Sequence, residues 1–314
     1  MKYIYEPRAS TIIYNILIAR EDSYPWILPA NVCPIVPITF LKANVPFKFV
    51  DISASTFHMD LDQVEGRIKK RKFGGVLYVH TYGDSSTPSE FFNSLKNIDP
   101  DIFILDDRCL CAPSFDSDEP ADLTLYSTSN AKVVDLGSGG YALVKDGFKY
   151  LSVLLPFDQQ DLIELESSYK ETVQKRKIFT YTDSNWLETA ALAHAWCDYR
   201  EKIESELKIS LDHRAKLNTL YQELLPWEIR LPQAYQIWRF NIRVKNQGKV
   251  MHAIFNDGLF ASSHYASLAG IMAEGFAPSA EMFSNKIVNL FNDHYFDLQK
   301  VERICKVILE NYEG

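Results

Sequence analysis

The segment Ile102-Phe103-Ile104-Leu105 sets four apolar residues in a row and ends in Asp106-Asp107. A strand with no polar face must be covered on both sides, which is the condition of a central strand in a parallel sheet. Ligands of such sheets bind at the carboxyl ends of the strands, where these two carboxylates emerge. A carboxylate ending a wholly apolar strand is costly unless something positive meets it. Capping of a loop or helix is the plainer role open to the pair.

Similar short runs recur on both sides of this one. Trp26-Ile27-Leu28-Pro29, Phe47 to Asp51, Gly75 to His80, Ala121 to Tyr126 and Tyr141 to Val144 read as strands, with helical patterns between them. Thr11 to Leu17 reads as a helix with Ser10 or Thr11 at its N-cap. From Leu187 to Tyr221 the apolar spacing is helical, and a polar–apolar alternation over Gln236 to Val244 predicts a strand. Helices are expected around Lys249 to Asn256 and Asp297 to Asn311. The pattern predicts an α/β chain: a large domain over residues 1–200 with a mostly parallel sheet between helices, and a smaller α+β domain over 201–314, joined by one long helix.

Charge and cysteine content exclude several classes. With 33 basic and 41 acidic residues the net charge is −8, against the basic footprint that nucleic-acid binding needs. Five cysteines in 314 residues do not make a disulfide framework. Cys109-x-Cys111 has no second pair at ligand spacing, so buried structural thiols are expected and no metal. The stretch Thr11 to Ala19 is too short and too polar to span a bilayer, and Met1 to Ser10 has no signal-peptide pattern. These readings predict a cytoplasmic protein that binds no membrane and no nucleic acid.

Chemistry concentrates in Tyr126 to Gly140. Lys132 follows small hydroxyl residues, Ser127, Thr128 and Ser129, and precedes Gly137, Gly139 and Gly140. Hydroxyls and glycine amides suit a phosphate, and a lysine can form a Schiff base with a carbonyl. A surface lysine in a serine-rich turn is the plainer alternative. Gly137-x-Gly139-x-x-Ala142 matches a dinucleotide fingerprint only formally, because a strand and not a helix follows it.

Taken together, Asp106-Asp107, Ser127, Lys132 and Gly139-Gly140 resemble, in order and spacing, the cofactor segment of the DegT-type (DegT/DnrJ/StrS-like) sugar aminotransferases, pyridoxal-phosphate enzymes of fold type I. Leu28 to Asn31, Phe49 to Ile52, Val79-His80-Thr81-Tyr82-Gly83, Ala190-Ala191 on the long helix and Ser263-His264-Tyr265 are also similar in place. The resemblance implies a fold type I aminotransferase. In it Lys132 would carry pyridoxal 5'-phosphate and shuttle a proton, and Asp107 would meet the pyridine nitrogen. Ser127 would donate to the phosphate, together with backbone amides around Arg8, Ala9 and Ser10 at a helix N-terminus. Asn31 to Cys33 would occupy the ring-stacking region, and His80 would be structural. The implied activity is transfer of an amino group from an amino acid, glutamate by class, to a nucleotide-linked keto-sugar in surface-glycan or amino-sugar biosynthesis, by a homodimer. Lys132 argues against the dehydrating branch of the family, which has histidine there.

The chain departs from the family pattern in four places. Glu6-Pro7-Arg8-Ala9-Ser10 replaces a Gly-Thr turn, Leu110 stands where a glutamine contacts the ring hydroxyl, and Thr182-Asp183-Ser184 replaces the partner-chain Asn-x-Arg segment with Asn185 nearest. The N-terminus is expected to lack the leading helix and strand. These departures motivate two further readings: a catalytically inactive relative that binds a ligand or partner, and a pyridoxal enzyme with a non-sugar substrate.

Overall fold

The computed structural model describes residues 2–20, 24–116, 120–192 and 194–313. Seven strands form one sheet: β1 (Lys2–Glu6), β2 (Trp26–Pro29), β3 (Phe47–Val50), β4 (Gly75–Val79), β5 (Phe103–Asp107), β6 (Leu123–Ser127) and β7 (Gly140–Val144), in the order β1-β7-β6-β5-β4-β2-β3. The stretch from β6 to β3 is parallel, while β7 and β1 are antiparallel. Every residue of β4, β5, β6 and β7 is buried, as unbroken apolar runs require. Helices α1 (Ala9–Arg20), α2 (Ile35–Lys42), α3 (Leu61–Ile68) and α4 (Ser89–Ile98) connect the strands, and α1 with α2 covers one face against Trp26, Leu28, Leu77 and Leu105.

Three elements depart from the expectation drawn from sequence. A strand does lead the chain: β1 pairs antiparallel with β7 along its whole length. Its Glu6 is buried because the carboxylate accepts from Asn15 Nδ2 and from the Tyr150 hydroxyl. The long helix, α6 (Trp196–Leu224), begins nine residues later than its apolar spacing suggests. The cause is tertiary. The carbonyl of Glu188 accepts from Thr11 Oγ1, and the Thr189 hydroxyl bonds the backbone of Leu155, so 187–189 is committed to other parts of the fold. Ala190-Ala191 therefore precedes the helix. An unexpected helix, α5 (Gln159–Lys175), is capped by Asp158, whose carboxylate accepts from Gln160 N.

The long helix links two cores. Its first turns place Tyr199 and Ile203 with Tyr126, Tyr141 and Leu143, and its last turns place Leu217 and Tyr221 in a second core. That core is built on a three-stranded antiparallel sheet, β8 (Phe240–Arg243), β9 (Ala261–Ser262) and β10 (Ile287–Leu290), in the order β8-β10-β9. Helices α7 (Gln247–Asn256) and α9 (Leu298–Asn311) cover it, while α8 (Pro278–Ser284) sends Ala280 and Phe283 into the large core. Leu231, Tyr235, Trp238 and Leu268 also join the large core, so the chain after α6 serves both. Among the described residues no helix is long and apolar enough to cross a membrane.

Candidate active site

The carboxyl ends of β5 and β6 open onto a cavity of about 290 Å³. Arg8, Ala9, Ser10, Cys33, Asp107, Ser127 and Lys132 all line it. Sequence reasoning named these residues from four separate segments, and the fold brings them to one wall. Asn31 is the exception. It is buried beside the cavity, and its Nδ2 donates to the carbonyl of Phe57 instead.

Local geometry explains why the segments converge. The β7 strand begins at Gly140, where a side chain would come within 2.6 Å of the Ala9 amide nitrogen; the first turn of α1 sits against bare backbone. At Gly139 the backbone has φ +97°, and a Cβ would strike the Tyr199 hydroxyl and Thr128 Oγ1. Gly139 N also donates to Pro7 O. The glycine pair thus allows the N-terminus of α1 to approach the end of β6 and the start of β7, and Ala9 and Ser10 of its first turn line the cavity together with Ser127 and Ser129.

Asp107 sits at the end of β5 with its Oδ1 accepting from the Cys109 amide. Burial pushes its carboxyl above the usual range, against the downward pull of that hydrogen bond and of Lys132. A cation placed against it would reverse the balance. Its neighbour Asp106 points the other way, into the protein. There Oδ1 meets His80 Nε2 at 2.7 Å, and Oδ2 accepts from Arg108 Nε at 2.6 Å. Burial raises the Asp106 carboxyl, but His80 and Arg108 together hold it below its ordinary value. His80 is wholly buried, its other nitrogen bonds the Asp84 carbonyl, and it does not line the cavity. It braces the strand end.

Cys109 and Cys33 line the cavity with Asp107 and Lys132. Burial raises both thiols, so they are neutral at physiological pH. Leu110 lies in the large core, and Cys109 is the residue of that turn which reaches the cavity. Tyr265 lies near Cys33 and parallel to Trp238, with ring centroids 6.3 Å apart. His264 is exposed, with its ring 5.6 Å from Trp238 and 4.8 Å from Tyr265 by centroid.

The remaining wall was not foreseen. Leu162, Glu166 and Tyr169 of α5, and Trp186, Leu187 and Glu188 after it, close the side of the cavity. Glu188 Oε2 accepts from Arg8 Nε at 2.9 Å, so the arginine in the place of the family's turn is tied to a carboxylate. Leu162, Leu165, Tyr169 and Val173 follow helical spacing from a capping Asp158, a signal that could have found α5. Asp183, in the place of the missing partner-chain motif, accepts from Lys42 Nζ and from the Tyr181 hydroxyl.

No protein-family model matches the sequence, and no curated protein matches it. Solved structures do. A DegT DnrJ EryC1 StrS aminotransferase from Brucella abortus superposes with a TM-score of 0.70 at 15% identity, over 99% of this chain and 86% of that one. Spr1654 from Streptococcus pneumoniae, named for sugar aminotransfer and solved in a PMP form, gives 0.69 at 17% identity over 98% and 86%. The E coli GDP-4-keto-6-deoxy-D-mannose-3-dehydratase with bound hydrated PLP gives 0.66 at 14% over 98% and 87%. The likeness runs the length of the chain, and this chain has the fold of those enzymes.

Proposed function

We propose that the protein is a pyridoxal-phosphate-dependent aminotransferase that moves an amino group from an amino acid, glutamate by class, onto a nucleotide-linked keto-sugar. The observation that carries this reading is the meeting of Lys132 and the buried Asp107 in one cavity with two serine hydroxyls and the first turn of α1. An amine, a carboxylate awaiting a cation and a cluster of anion donors are the set this cofactor requires, so the residues present fit it.

Pyridoxal phosphate supplies an aldehyde that condenses with an amine and a ring that withdraws electrons when its nitrogen is protonated. The Lys132 amine would hold that aldehyde, and its Nζ would carry the proton between the α-carbon of the amino donor and the cofactor's aldehyde carbon. Asp107 Oδ2 would keep a proton on the ring nitrogen, since a carboxylate buried without a cation is unfavourable. Ser127, Ser129 and the amides of Ala9 and Ser10 would bind the phosphate. Cys33 would lie where a flat group usually stacks. Trp186 and Leu187 would exclude water from the open side. Names among the structural neighbours, a sugar aminotransferase and a nucleotide-sugar dehydratase, support the sugar class; lysine rather than histidine at 132 favours amino transfer. We further assign the active form as a homodimer in amino-sugar or surface-glycan synthesis.

The Arg8–Glu188 pair favours a second reading, a catalytically silent relative, because it occupies a cationic donor beside the phosphate cradle. One experiment separates the two. Visible absorbance is recorded after adding pyridoxal phosphate, then glutamate, with Lys132→Ala as control. The catalytic reading expects a lysine-dependent band that bleaches with glutamate. A band that ignores glutamate would discard the donor, and no band would favour the silent relative.

A further inference from the structure

The loop that carries Lys132 is held in an unusual way. Three consecutive backbone carbonyls each accept from a side chain far away in sequence. Trp238 Nε1 donates to Ala131 O at 2.7 Å, Arg214 Nη2 to Lys132 O at 3.1 Å, and Ser210 Oγ to Val133 O at 2.5 Å. The three donors are themselves joined. Arg214 Nε donates to Ser210 Oγ one helical turn away, and Arg214 Nη1 donates to Trp238 O at 2.7 Å and to Asn292 Oδ1.

Packing holds the loop only after the lysine, where Val133 and Val134 are buried. Lys132 itself lines the candidate active site and also a second cavity of about 390 Å³ bounded by Asp135, His213 and Arg214. The loop's own conformation does not favour its shape, since Ala131 adopts φ +62°, which a residue with a Cβ rarely takes. Asp135 Oδ2 accepts from the Ala131 amide, so the turn before the lysine is tied at both backbone groups.

Arg214 is only 3% exposed. Its guanidinium donates to carbonyls, a hydroxyl and an amide oxygen, and among the described residues to no carboxylate. Burial brings its pKa down to about 10, with Asp293 working in the opposite direction. Burying a cation without a direct anionic partner is expensive. An apolar side chain would fill the same space more cheaply but could not fasten the loop.

We propose that Arg214 is a positioning residue that, with Ser210 and Trp238, fixes the backbone of Lys132 and thereby couples the lysine to α6 and to the chain leading into the small sheet. This rests on the reading of Lys132 as the cofactor-bearing residue only for its catalytic consequence. The anchoring itself can be tested without cofactor.

Hydrogen exchange, read by mass spectrometry on the full chain without cofactor, compares the wild type with Arg214→Gln, Ser210→Ala and Trp238→Phe. The expected result is that amides across 131–134 exchange about tenfold faster in each variant, the loss of one buried hydrogen bond, while peptides from β4 and β5 keep their protection. Acylation of Lys132 by an amine-directed reagent should shift in rate in the same variants. With pyridoxal phosphate bound, Arg214→Gln should lower kcat about tenfold and leave KM for the amino donor within about twofold, and Arg214→Lys should regain part of the loss. Unchanged exchange across 131–134, or a rise spread equally over both cores, would overturn the proposal. If Arg214→Gln does not fold, Ser210→Ala and Trp238→Phe decide it alone. Should the wild type take up no cofactor while the loop exchanges as expected, the cofactor reading fails and the anchoring stands. A wild type that takes up cofactor, with no loop response in the variants, is the reverse case.

Discussion

Two aspartates adjacent in the chain are given opposite tasks by the alternation of the strand. Asp106 faces His80 and Arg108 and is held ionised; Asp107 faces the cavity, where burial raises it. Asp107→Asn keeps an acceptor for the Cys109 amide and removes the charge that the proposed reading sets against the ring nitrogen. We expect this variant to hold the cofactor on Lys132 and to lose turnover by about a hundredfold or more, measured as the first half-reaction with glutamate. Undiminished turnover would remove Asp107 from its role. A second residue-scale prediction concerns pH. His58 is buried, its Nε2 lies 3.5 Å from Asp84 Oδ2 without a hydrogen bond, and burial followed by His80 lowers its ring to about 4. The unfolded ring titrates near 6.5, so between these values the unfolded chain holds the extra proton and acid favours unfolding. Lowering the pH from about 6.5 to about 5 should cost about 1.5 kcal/mol through His58. Denaturant melts of wild type and His58→Asn at both values test it, since the variant should lose that part of the slope.

At the scale of elements, the approach of α1 to the start of β7 decides whether the phosphate cradle forms. A Cβ at Gly140 would lie 2.6 Å from Ala9 N and 2.8 Å from Ala9 Cα, both backbone atoms that cannot swing aside. Gly140→Ala must therefore push the first turn of α1 away from Ser127. We expect a stability loss of about 1–3 kcal/mol by urea melt and a cofactor affinity reduced well beyond it. An affinity that follows the stability loss alone would mean the helix N-terminus contributes little. The strands and this loop were legible because their signals are local: an apolar run ending in carboxylates, hydroxyls before a lysine, glycines after it. What stayed hidden depends on distant partners. The start of α6 is set by bonds from Thr11 and Leu155, and the cavity wall at Trp186 to Glu188 is set by Arg8, some 180 residues earlier. No window of neighbouring residues contains that information. The leading strand β1 was missed for a related reason, because Tyr3-Ile4-Tyr5 is too short a pattern to read without its pairing partner Tyr141 to Leu143.

For the molecule as a whole, the wall that α5 gives the candidate site is lightly packed. Helix α5 buries only Leu165, and its ion pairs, Glu166–Lys170 and Glu171–Lys175, lie in solvent. The same stretch of chain exposes Leu151, Leu154, Phe157, Ile163 and Ile178, with Leu154 78% and Ile178 83% accessible. Apolar side chains so exposed, along the segment that closes a cavity, suit an isologous contact in which a second copy covers the wall of the first. Burying a leucine or isoleucine contributes about 1.5–3 kcal/mol, and a two-fold contact counts each twice. The double variant Leu154→Asp, Ile178→Asp should therefore weaken dimerisation by at least about a thousandfold, seen by sedimentation as a monomer at concentrations where the wild type is a dimer. Because α5 and Glu188 line the cavity, the monomer should also release cofactor more readily than the dimer. A wild-type monomer, or a variant monomer that holds cofactor as tightly as the dimer, would show instead that each chain completes its own site and that this apolar face serves another purpose.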